Sequence, residues 1–150
     1  MKRTTISLLL TLVCIMAQAQ QAVFNKYSDY DGVSVVYISK YMLRGMQGSK
    51  SSKDAISRIA GRLDHLQIFS CDRPSLIPRI KKDATAYYRK MHYGVAMQMS
   101  DDGEHTTIYQ RAAGSGKNEF VLLTTEKDEL TIINVLGSVS LKDIQGLTGD

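Results

Sequence analysis

The sequence predicts an α+β domain: a mostly antiparallel sheet with a C-terminal four-stranded meander, and helices packed on one face. Three observations carry this. Residues 95–136 alternate apolar and polar residues with a period of two, interrupted by turn-forming clusters. Residues 76–91 place their apolar side chains at helical spacing instead. Helical segments lie mainly before the meander rather than alternating with its strands, which argues against a parallel sheet.

Taken in order, Asp31-Gly32 opens the β-branched run Val33–Ile38, which predicts a buried strand. Ser39 can cap a short helix, Lys40–Met46, with Tyr41, Met42 and Met46 on a shared face. Asp54–Arg62 predicts another short helix, with Ile56, Ile59, Ala60 and Leu63 as its apolar side. Leu66–Ser70 then predicts a strand. In the long helix Ser75 serves as cap, and Pro78 falls in the first turn, where its missing N–H leaves no gap. Leu76, Ile77, Ile80, Ala84, Tyr87, Tyr88 and Met91 form its inner stripe, and Arg79, Lys81, Lys82, Arg89 and Lys90 face outward.

Val95, Met97 and Met99 open the meander before an Asp101-Asp102-Gly103 turn, and Thr107 and Tyr109 follow in the next strand. Glu119–Thr125, a turn at Lys127-Asp128 and Leu130–Leu136 complete it. Phe120, Leu122 and Ile132 are expected on the buried face, against the stripe of the long helix. Ser140–Leu147 predicts a capped terminal helix.

The N-terminus predicts export. Lys2 and Arg3 precede an apolar run over residues 6–16, too short to span a bilayer, and Ala17-Gln18-Ala19 has the small residues of a cleavage site. Residues 1–19 are therefore expected to be a cleaved signal peptide, and residues 20–150 a single domain in the periplasm or at the cell surface. Cys14 follows Val13 rather than a small residue, so the lipoprotein pattern fails and membrane anchoring is not expected. Losing Lys2 and Arg3 lowers the formal charge from +4 to +2, which removes any argument for nucleic acid. Only Cys71 then remains, so no disulfide is expected to support the fold.

Three segments together resemble a known family: "FNKYSDYDGVSVVYISKYML", "HYGVAMQMSDDGEHTTIYQR" and "NEFVLLTTEKDELTIINVLGSVSLKDIQGL". They are similar to the secreted bacterial domain of unknown function 4252, typical of Bacteroidetes-type bacteria, over about residues 23–147. The resemblance implies an exported protein, lipid-anchored in many members. It carries no catalytic residue across, because the family has no established activity.

Reactive constellations are sparse. Gly45–Ser51 and Gly114–Asn118 put lysine near glycines, but neither fits the phosphate-binding register G-x-x-x-x-G-K-[ST]; they read as turns, and no nucleotide is expected. His65, His92 and His105 lack the spacing of a helical metal site. Asp101, Asp102 and Glu104 surround a glycine as hairpin turns do, without the spaced ligands of a calcium loop. Cys71 with a distant histidine is the one nucleophile pairing open to test, against its reading as a small buried residue. Neither a G-x-S-x-G elbow nor H-E-x-x-H occurs.

The sequence thus assigns no catalytic, cofactor-binding or metal-binding residue, and no cofactor. Tyr27, Tyr30, Tyr37 and Tyr41 crowd the N-terminal part, and tyrosines suit half-wet contact surfaces. The expected function is an exported, non-catalytic module binding a protein or a surface glycan. The alternatives are a hydrolase or other enzyme with a site assembled from distant residues, and an envelope signalling component. An exposed apolar patch or unpaired strand edge would favour binding; a buried cleft joining Cys71 or a histidine to carboxylates would favour an enzyme.

Overall fold

The computed structural model describes residues 22–47 and 55–148. The proposed signal peptide and its Cys14 lie outside the described residues, as does most of Gly45–Ser51. The elements are helix α1 (residues 22–27), strand β1 (Val33–Ser39), α2 (Lys40–Met46), α3 (Ala55–Ile59), a 3-10 turn (Ala60–Arg62), β2 (Leu63–Cys71), α4 (Ile77–Lys90), β3 (Gly94–Asp101), β4 (Glu104–Gly114), β5 (Lys117–Thr125), β6 (Leu130–Gly137) and α5 (Leu141–Gln145). The six strands form one sheet in the order β1-β2-β6-β5-β4-β3, with every pair antiparallel.

The meander forms as expected because its turns suit the chain. Asp102 and Gly103 both take positive φ (45° and 88°), the geometry of a two-residue hairpin turn, which glycine enters without a side-chain clash. The C-terminal helix also has the expected cap: Ser140 accepts from the Asp143 N–H, and the Asp143 carboxylate accepts from the Ser140 N–H in return.

The layering differs from the expectation in an instructive way. α4 does pack on one face, burying Ile77, Ile80, Ala84 and Tyr88 together with Phe24 and Tyr27 of α1 against Phe69, Val121, Leu123, Leu130 and Ile132. The opposite face is buried too. There Leu43 of α2, Ile59 and Ala60, Val139 and Ile144 of α5 cover Leu66, Ile108, Phe120, Leu122 and Val135. Register explains the rest: Leu122 stands opposite Ile133, and Leu123 opposite Ile132. Phe120 and Leu122 therefore face away from α4, and only Ile132 of the expected trio meets it. Phe-Val-Leu-Leu is apolar at consecutive positions, so β5 is buried on both sides and period two cannot mark its inner face.

Four local corrections follow. α1 is an addition to the expected elements; it is short, and it is held by buried Phe24 and Tyr27, whose hydroxyl donates to Asp83 at 2.6 Å. α4 is capped by Leu76 without a side-chain bond rather than by Ser75, and the turn before it closes through Leu76 N–H to Arg73 C=O. α2 starts at Ser39 as expected, but it buries Leu43 and turns Tyr41 and Met42 outward. Finally, β1 is an exposed edge strand, not a buried one.

Candidate functional site

The two edges of the sheet are built differently. At β3 a register shift between Val95 and Met97 breaks the ladder, and Gln98, Ser100 and Asp101 make its outer half polar. Such features discourage another strand from pairing. β1 has none of them. Its register with β2 is continuous from Val33 opposite Cys71 to Ser39 opposite His65, and it contains no charged residue and no proline.

Val36 is 47% exposed and Tyr37 59%. Directly after β1, Tyr41 (87%) and Met42 (60%) project from α2, and Tyr30 is exposed before it. These residues place exposed apolar and aromatic side chains along β1 and at both of its ends, where isolated exposed apolar residues would be unremarkable.

The backbone of this edge can be read from two bonds. Asp72 N–H donates to Gly32 C=O at 3.0 Å, which places Gly32 in a hydrogen-bonded pair with β2. Antiparallel ladders alternate, so Ser34, Val36 and Ile38 also point their N–H and C=O groups at β2, while Val33, Val35, Tyr37 and Ser39 point theirs outward. Val33 N–H, bonded back to Tyr30 C=O at 3.1 Å, fits that alternation.

A second constellation lies on the α4 face, beyond the C-terminal end of that helix. Glu119 is buried, and both its oxygens are engaged: Arg111 donates to Oε2 at 2.7 Å and Asn134 to Oε1 at 3.1 Å. Tyr93 hydrogen-bonds the same carboxylate, and burial first, then the Glu119 charge, push its phenol well above the usual tyrosine range. The Arg111 guanidinium stacks over the Tyr93 ring, 4.4 Å from its centre. Asn134 Oδ1 and the Tyr87 hydroxyl are buried without a hydrogen-bond partner.

His65 shares this face, and burial lowers its pKa more than Glu119 and Asp64 raise it. Leu136 intervenes between His65 and Glu119 in the same cross-strand row. Their backbones are thus two strand spacings apart, roughly 10 Å. No hydrogen bond or ion pair joins them, and Glu119 ties β4, β5 and β6 to the chain after α4.

The remaining candidates are separate. Cys71 is fully buried in the α4-side core, and its thiol lies 3.7 Å from Arg73 C=O. His92 is exposed at positive φ after α4, and His105 is exposed and bonded to Ser100 at 2.8 Å. Asp101, Asp102 and Glu104 occupy the β3–β4 hairpin beside an open groove of about 580 Å³, also lined by Met99, Glu126 and Lys127. Among the described residues, no three His, Cys, Asp or Glu are placed to hold a metal ion. Ser115 and Gly116 form the β4–β5 turn at positive φ, and Lys117 pairs with Asp64 at 2.5 Å. Among the described residues, no helix is long and apolar enough to cross a membrane.

Of the tyrosines, Tyr27 is core while Tyr30, Tyr37 and Tyr41 are exposed; Tyr87, Tyr93 and Tyr109 each pack edge-on or tilted against Tyr88. The sequence signal for the edge was present in Val33–Ile38. Its β-branched composition speaks for a strand, but nothing local says which strand closes the sheet.

The fold and its surface define a class: a small α+β domain with a six-stranded antiparallel sheet covered on both faces and, among the described residues, open along one apolar edge. Within that class the chain belongs to the family described as domain of unknown function DUF4252, whose model matches residues 27–147. Comparison with curated proteins and with solved structures found no match.

Proposed function

We propose that the protein is an exported, non-catalytic interaction module of the cell envelope that binds a protein partner by strand addition to β1. The observation supporting this reading is the β1 edge, where unguarded main-chain groups lie between exposed Val35, Val36 and Tyr37. Strand addition gives affinity through the main chain, and Tyr30, Tyr41 and Met42 supply flanking contacts. The export part rests on Lys2, Arg3, the apolar run and Ala17-Gln18-Ala19, and predicts a processed chain starting at Gln20. The saturation of Glu119 and its separation from His65 count against an enzyme.

The test is crosslinking in native cells, comparing wild type with Val36→Lys and with Val95→Lys on the guarded edge. Loss of adducts for Val36→Lys alone supports the proposal. Equal adducts for all three proteins would remove β1 as the binding edge. An N-terminus other than Gln20 would overturn the processing step.

A further inference from the structure

We infer that the occupant of this edge is a second copy of the same chain, paired antiparallel with β1 about a two-fold axis through Val36. This rests on β1 being the binding surface, and it specifies partner and register. The outward groups belong to Val33, Val35, Tyr37 and Ser39, so a new strand must hydrogen-bond at odd positions. Two copies of β1 can meet that condition by pairing around Val35, Val36 or Tyr37. Centring on Val36 sets Val35 reciprocally against Tyr37 of the other copy, and Val33 against Ser39. This register engages Val35 and Tyr37 of each strand fully and sets Ser39 N–H against the other copy's Val33 C=O, while Val33 N–H stays with Tyr30 C=O. Centring one position either way leaves Val33 or Ser39 of each copy beyond the reciprocal pairs.

Side chains and charge favour the same arrangement. Val36 meets Val36 at a non-hydrogen-bonded position, where side chains approach most closely. Val35 meets Tyr37, a β-branched and aromatic cross-strand pair. Asp29 and Asp31 flank the N-terminal end of β1, and Arg44 stands beyond its C-terminal end; Lys40, between them, is already paired with Asp64 of its own chain at 2.7 Å. Antiparallel self-pairing brings the acidic end of each copy beside the basic end of the other, twice over. It also lays Tyr41 and Met42 next to the other copy's Tyr30, so the exposed border is covered by itself. The edge is self-complementary in register and in the pairing of its acidic end with Arg44.

Cysteine crosslinking tests the register. Two Cα atoms facing each other at a non-hydrogen-bonded site are about 4.5 Å apart, within disulfide reach. With processed protein from the native host, Val36→Cys is expected to give a disulfide-linked homodimer under mild oxidation. Val35→Cys and Val95→Cys should stay largely monomeric. Cys71, being fully buried, does not compete. Sedimentation equilibrium should show wild type dimerising and Val36→Lys shifting to monomer, because it sets two lysines face to face. Equal crosslinking at all three positions, or a wild type that stays monomeric at the highest concentration reached, would overturn the inference. A monomer whose adducts to another envelope protein vanish in Val36→Lys defeats the second-copy occupant and leaves the β1 reading intact. Unchanged adducts in that variant defeat both.

Discussion

The two faces of the sheet are covered in contrasting ways. On one, the 14-residue α4 lays a single stripe across the strands, with α1 beside it. On the other, α2 (7 residues), the 3-10 turn and α5 (5 residues) divide the same task. Helices this short have no stability of their own in water. They persist because each inserts a buried anchor, Leu43 or Ile144, and closes its first turn with Ser39 or Ser140. Arg62 adds a two-pronged contact from the 3-10 turn to Asp143, at 2.7 and 3.1 Å. One face is a continuous layer, and the other is a set of separately fastened pieces. The second should open locally at lower free energy than the first, and amide exchange would read this as weaker protection in α2 and α5 than in α4.

Substitutions can break or sharpen the contrast. The largest effect is expected for Ile80→Asp, which buries a charge at the centre of the continuous layer; it should cost about 4 kcal/mol or more and abolish the cooperative melt. Phe120→Ala, fully buried on the pieced face, should cost about 3–4 kcal/mol, with thermal or denaturant melts as readout. If Phe120→Ala instead cost under about 1 kcal/mol, the second core would be an accessory to the first. Ser140→Ala removes one cap and should cost about 1 kcal/mol. Amide exchange should then rise in α5 and stay unchanged in α4.

His65 gives a smaller effect that depends on pH. Burial depresses its folded pKa below the ordinary 6.5, so the neutral form is the one the native state favours. Its contribution is complete above about pH 6.5 and is lost as pH falls through the folded value. Melting temperature should therefore fall between pH 7 and 5, and His65→Gln should flatten that decline. A decline unchanged in His65→Gln would assign it to other groups. The smallest effect belongs to Lys81→Asp, on the exposed side of α4, at within about 0.5 kcal/mol.

Much of this architecture was legible in the sequence, for identifiable reasons. The stripe Ile77, Ile80, Ala84 and Tyr88 is visible because α4 is long and buried on one side only. The turn at Asp102-Gly103 and the cap at Ser140 are visible because few residue types suit those backbone positions. The second covered face was not legible, since β5 is apolar at successive positions and its neighbours are set by register, a long-range property. The Arg111, Glu119, Asn134 and Tyr93 network was equally hidden: its members are spread over more than forty residues with no local pattern. The exposure of β1 was not legible either, because a β-branched run looks the same whether its edge is covered or open.

The place of β2 in the sheet sets an order of assembly. β3 to β6 follow one another through tight turns, so each pairing closes a short loop. β2 pairs with β6 across the whole of residues 72–129, and closing that loop costs more chain entropy than any hairpin in the meander. The meander should therefore form first, leaving β6, with Leu130, Ile132 and Val135 on its two faces, briefly at the margin of the growing sheet. Refolding yield should fall with rising protein concentration during that interval, because an unpaired apolar strand in one chain offers a template to the β2 of another. Exchange of the arm from β1 to β2 between two chains would give a product with every native pairing, made from the wrong pair of molecules.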